Sequence, residues 1–146
     1  MNKINHANNG FLTGFNCAQA VFFSFCEELG LEKEYALKIS SSFGGGMAHL
    51  NETCGAVTGA FMVLGLKYGR TKVEDAAAKE KNYSLVQEFA KRFKDTHGSI
   101  RCTELIGFDL STEEGLKKAT EEKRFRTHCP GYVEDAARIV VDLLKK

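Results

Sequence analysis

The sequence predicts an all-α fold, a single compact bundle of five or six helices, and three observations carry it. The 146 residues contain one proline, at Cys129-Pro130. β-Branched runs are few. Apolar residues recur at helical spacing, and several of these stretches open on a capping residue or close on a glycine. Hydrophobic residues make up 43% and charged residues 27% of the chain, an ordinary globular balance, and the length suits one domain over 1–146.

The first helix is predicted from about 13 to 29, stopping at Gly30, with Phe22, Phe25, Cys26 and Leu29 on its apolar stripe. A second, about 32 to 42, turns Tyr35, Ala36 and Ile39 inward and runs into Gly44-Gly45-Gly46. Each helical glycine costs about 1 kcal/mol relative to alanine. The triplet therefore marks either a helix-capping turn or a backbone that approaches a cofactor site closely. A phosphate cradle has only weak support, since no Gly-Lys-Ser/Thr follows and no strand precedes.

The third helix, about 53 to 68, is apolar nearly all round and should be the central element. Gly55 and Gly59, with Ala56 and Ala60, give it a small-residue face. That face would serve a homodimer as well as an intramolecular core. Asn51 or Thr53 would cap its start, leaving Cys54 in the first turn.

The fourth helix, about 73 to 96, carries Val86, Phe89, Ala90 and Phe93 inward and ends at Gly98. Ser99 caps a short turn holding Cys102. Ser111-Thr112-Glu113-Glu114 reads as a capping box for a segment reaching Phe125. The last helix follows Cys129, with Pro130 at a first-turn position and Val133, Ala136, Ala137, Val140 and Leu144 buried.

A net charge of +1 gives no electrostatic case for nucleic acid or an anionic membrane. No apolar run approaches the ~20 residues of a membrane span, so no membrane insertion is expected. The N-terminus, Met1-Asn2-Lys3-Ile4-Asn5-His6, is polar and lacks a signal-peptide core, and the expected location is cytoplasmic.

Five cysteines in a reducing compartment argue against a disulfide framework. Cys17, Cys54, Cys102 and Cys129 each fall at a predicted helix start, where backbone N–H groups and the helix dipole favour a thiolate. The dipole contributes about 0.3–1 kcal/mol, less than one pKa unit, so it alone yields a reactive thiol rather than an ionised one. Cys26, about 180° around the helix from Cys17, reads as a core residue. There is no Cys-x-x-Cys, so any shared site must be assembled by the fold. His49 and His128 are candidate extra ligands or bases; His6 and His97 have weaker claims.

The segments Phe43-Gly44-Gly45-Gly46-Met47, Glu52-Thr53-Cys54-Gly55-Ala56-Val57-Thr58-Gly59-Ala60 and Leu64-Gly65-Leu66-Lys67-Tyr68-Gly69 strongly resemble the C-GCAxxG-C-C family. Gly98 to Cys102, Glu104 to Gly107 and His128-Cys129-Pro130 resemble its later cysteine segments. The four family cysteines correspond to Cys17, Cys54, Cys102 and Cys129. This chain has Cys-Gly-Ala at 54 to 56 where the family's label reads Gly-Cys-Ala. The resemblance implies redox activity. A similar domain occurs in split-Soret cytochromes, which carry an iron–sulfur centre besides haem. With no Cys-x-x-Cys-His, haem does not carry over, whereas an iron–sulfur cluster or other thiolate-bound metal does.

Three functions remain open at this point. The four cysteines bind one metal or iron–sulfur centre for electron transfer or sensing, with an unknown redox partner. Alternatively, Cys54 attacks a disulfide as nucleophile and a second cysteine resolves it. The third reading is a non-catalytic helical interaction module.

Overall fold

The computed structural model describes residues 2–146, and among them the fold is all-α. Five helices of ten residues or more frame the core. They are α1 (Lys3–Leu12), α2 (Cys17–Cys26), α5 (Gly55–Tyr68), α6 (Ala76–His97) and α10 (Cys129–Leu143). Shorter segments connect them: α3 (Lys33–Ser40), a left-handed turn α4 (Gly44–His49), α7 (Cys102–Ile106), α8 (Glu113–Glu121) and α9 (Arg124–Thr127). No helix is long and apolar enough to cross a membrane.

The N-terminal stretch is helical, contrary to its polar look. Asn2 caps it by accepting from the Asn5 N–H at 2.8 Å, and Ala7 and Gly10 are buried. The chain then breaks at Gly14, where φ is +123°. It restarts at Asn16, whose side chain accepts from the Gln19 N–H at 2.9 Å while the Gln19 side chain accepts from the Asn16 N–H. The predicted first helix therefore begins at Cys17, not at 13. Its stop at Gly30, with φ of +87°, is as expected.

Within α3 only Ala36 of the three predicted inward residues is buried; Tyr35 and Ile39 are 55% and 52% exposed. Eight residues make barely two turns, and the α2 side of the helix is narrow. The predicted cap of α5 also differs. Cys54 itself is the cap residue, because Asn51 instead accepts from the Leu110 N–H and Thr53 bridges to Arg101. Helix α6 starts three residues later than predicted, at an Asp75 cap, and leaves Val73 outside. The box at Ser111 does not form: Thr112 caps α8, and Ser111 is bonded to Asp109. In α10 it is Leu143, rather than Leu144, that is fully buried.

Helix α5 is the central element, as its composition implies. It crosses α2 at a distance that only glycine allows. A Cβ on Gly59 would lie 2.7 Å from the Ala18 carbonyl oxygen, and one on Gly55 would lie 3.0 Å from the Ala18 nitrogen and 3.1 Å from the Cys17 Cβ. The small-residue face is thus consumed within the chain. This crossing sets the starts of α2 and α5 side by side, and with them Cys17 and Cys54.

Gly59→Ala should destabilise the fold by roughly 1–3 kcal/mol, because the obstacle is backbone and cannot rotate away. Gly65→Ala, on the same helix with nothing within 4 Å of its new Cβ, should be neutral or stabilise by up to ~1 kcal/mol. Urea unfolding of the two variants checks the contrast.

A candidate four-thiol site

All four cysteines named from the sequence stand at helix starts. Cys17, Cys102 and Cys129 are first helical residues and Cys54 is a cap. All are buried, and all line one cavity of about 670 Å³. Cys26 is apart from them, fully buried in the core with its thiol on the Phe23 carbonyl at 3.2 Å.

Two loops hold Cys54 and Cys102 in place. The Cys54 N–H donates to the Ile100 carbonyl at 2.7 Å, and the Cys102 N–H donates to the Glu52 carbonyl at 2.8 Å. These bonds flank the antiparallel bridge between Thr53 and Arg101. Just before it, the backbone from Gly45 to His49 is left-handed throughout, with φ between +58° and +72°. Left-handed geometry costs roughly 1–2 kcal/mol per non-glycine residue, and Met47, Ala48 and His49 all incur it. The Glu52 N–H closes the turn on the Gly46 carbonyl at 3.0 Å.

The glycine triplet thus combines a positive-φ turn at Gly45 and Gly46 with a closely approaching backbone. A Cβ on Gly46 would lie 2.7 Å from the Cys102 Cβ and 3.3 Å from its Sγ, and Gly44 packs on the Asn16 side chain. Gly44 and Gly45 line the cavity.

Burial, not the dipole, dominates at Cys54 and Cys102. It pushes Cys54 up to about 12, although the backbone N–H of Ala56 pulls the other way and the Cys102 and Cys129 thiols add to the rise. Cys102 is pushed up to about 12 by burial and then by Cys129. Cys17 is raised well above its usual value, first by its hydrogen bond with the Cys129 thiol, then by burial and the remaining thiols. No lysine or arginine stands among these influences. The dipole, worth under one pKa unit, is outweighed at Cys54 and Cys102 by desolvation.

Tyr132 borders the same cavity, with its hydroxyl donated to the Leu105 carbonyl at 2.7 Å. Its raised pKa comes first from burial and then from Cys129, Cys54 and Cys102. Among the histidines, His49 lines the cavity. His128 contacts the Thr127 hydroxyl at 2.7 Å, His97 pairs with Asp135 at 2.8 Å, and His6 packs edge-on against Phe23. Asn16 and Tyr132 were missed by sequence reading. Asn16 was detectable as the start of an Asn-x-x-Gln box; nothing local marks Tyr132.

Among the described residues, no group of three or more His, Cys, Asp or Glu is drawn together as a single-ion site. A closed tetrahedral thiolate site would need Sγ atoms about 3.8 Å apart, from metal–sulfur bonds near 2.3 Å. The four thiols share a cavity without closing to that geometry.

One family model matches residues 15–143, nearly the whole chain and all four cavity cysteines. The chain belongs to the C_GCAxxG_C_C family. Its description reads "Putative redox-active protein (C_GCAxxG_C_C)". No curated protein and no solved structure matches the chain. Cys17 and Cys129, which lie near the two ends of the part that matches the C_GCAxxG_C_C family, both line the cavity.

In the reduced, metal-free chain, Cys54 keeps its proton in the fold up to about pH 12 against an ordinary 9.0. The fold thus binds a proton that the unfolded chain gives up. The stability linked to Cys54 is fully present below pH 9 and is lost as pH rises toward 12. Urea unfolding between pH 8 and 10.5 should show a decline that is shallower in Cys54→Ala, by up to about 1.4 kcal/mol per pH unit. Equal slopes would show that the Cys54 thiol is not desolvated.

Proposed function

We propose that this redox-family chain uses Cys17, Cys54, Cys102 and Cys129 to hold one thiolate-ligated metal centre, an iron–sulfur cluster foremost, for electron transfer or redox sensing. The observation that carries the reading is four buried thiols on one cavity wall with no cationic side chain to stabilise their ionised forms. Ionising such a group needs a positive centre among the sulfurs, and a metal supplies it. Four cysteines are also the donor set of [2Fe–2S] and [4Fe–4S] centres.

A bound cluster would supply one-electron chemistry. The chain's own parts have separate tasks. The helix starts present Cys17, Cys102 and Cys129; the bridge at Thr53 and Arg101 fixes Cys54 and Cys102 relative to each other; the left-handed turn covers them. Backbone N–H groups at the helix starts lie where they offset negative charge on the sulfurs.

A second reading, dithiol/disulfide chemistry, is favoured by one contact, the hydrogen bond between the Cys17 and Cys129 thiols. These two would give up two protons and two electrons to a disulfide substrate, which leaves as two thiols. Cys54 suits the nucleophile's role less well, since its thiol is held protonated.

Purification without oxygen, followed by a visible spectrum and assays for iron and acid-labile sulfide, separates these readings. The cluster reading expects a coloured protein with iron and sulfide in comparable amounts, lost in Cys54→Ser and retained in Cys26→Ser. A colourless, metal-free protein with a reversible Cys17–Cys129 disulfide would establish the second reading instead. Gly46→Ala should lower the iron content while leaving most of the helical circular dichroism, because its Cβ displaces Cys102.

A further inference from the structure

The cavity is larger than its thiol wall. At about 670 Å³ it falls within the ~300–1,000 Å³ range of small-molecule sites. Besides α4, three elements that enclose it contribute no cysteine: α1 through Phe11, α8 through Leu116 and Thr120, and α9 through Phe125. That wall is apolar and aromatic. No carboxylate lines the cavity.

Phe11 and Phe125 also border a second cavity of about 500 Å³, completed by Leu12 and Arg126. The two hollows therefore share Phe11 and Phe125, and the second one is lined by a guanidinium. Arg124, two residues earlier, is committed to the Glu122 carboxylate and the Ile106 carbonyl. Arg126 forms no ion pair or side-chain hydrogen bond among the described residues, and no acid lines its cavity.

We infer that these two adjoining cavities together bind an apolar small molecule with an anionic end, its body against Phe11, Leu116 and Phe125 and its head on Arg126. An apolar lining supplies affinity through burial of the body. A lone guanidinium in the adjoining cavity supplies orientation, since it pairs with carboxylate or phosphate in a planar fork. The inference goes beyond the thiol centre and does not depend on which chemistry the thiols perform.

Decanoate and decanol, titrated by calorimetry into the full chain purified without oxygen, provide the test. Decanoate should bind, and decanol should bind about fivefold more weakly, the scale of one solvent-screened charge contact. Arg126→Gln, at an exposed position, should abolish that preference and leave decanol unchanged. Thr120→Trp, also at an exposed position, should fill the cavity and weaken both ligands at least about tenfold, as loss of a buried apolar contact does. The inference is overturned if decanoate gives no saturable heat at millimolar concentration. It is equally overturned if both variants bind as the parent does, or if decanol equals decanoate in the parent. Iron content, measured on the same samples, should be unchanged by Arg126→Gln. Loss of iron in Cys54→Ser with decanoate binding retained would bear on the thiol centre alone.

Discussion

The rest of the structure depends on the close crossing of α2 and α5. Gly55 and Gly59 bring the α5 backbone against Ala18, where a methyl group would meet main-chain atoms. That contact fixes the spacing between two helix starts, and so between Cys17 and Cys54. Helix α10 packs against α1, α5 and α6, which brings its own start, with Cys129, to the same end of the bundle. The fourth cysteine arrives by a different device. The Thr53–Arg101 bridge ties the loop before α7 to the loop before α5, so Cys102 is located relative to Cys54 by backbone hydrogen bonds.

Two opposing electrostatic effects meet at this end of the bundle, and their sizes decide the chemistry. Helix starts favour a thiolate by less than one pKa unit. Burial and the neighbouring thiols favour the protonated form by more, as the rise of Cys54 and Cys102 to about 12 records. Left to themselves, Cys17, Cys54 and Cys102 hold their protons. On the metal-centre proposal, a positive centre among the sulfurs would reverse that balance and make the four cysteines one unit. The left-handed turn from Gly45 to His49 belongs to the same design: strained backbone is retained over the thiols, where glycine permits a contact with Cys102 that no side chain would.

Much of this was legible in the sequence. The helical class, the central position of α5, the stops at Gly30 and Gly98, and the four cysteines at helix starts follow from spacing and capping alone. What escaped has a common cause, tertiary competition for local signals. Asn51 is a good cap residue, yet it serves Leu110; Ser111 is drawn to Asp109 and yields the cap to Thr112. The N-terminal helix is polar by composition and is stabilised by packing of Ala7 and Gly10. The exposure of Tyr35 and Ile39 reflects how little of α3 the core covers. At the site, glycines announced a close approach, but not that three non-glycine residues would share the left-handed turn. The cavity beyond the thiols depends on Phe11, Leu116 and Phe125, which no motif connects.

The claim at the centre of this account is that Cys17, Cys54, Cys102 and Cys129 are ligands of one centre. X-ray absorption at the metal edge tests it most directly, applied to the protein purified without oxygen and to each single cysteine-to-serine variant. The account predicts an all-sulfur first shell in the parent. Each of the four variants should lose the metal or exchange one sulfur for a lighter ligand, and Cys26→Ser should match the parent. A parent shell of nitrogen and oxygen, or one of the four variants indistinguishable from the parent, would contradict it.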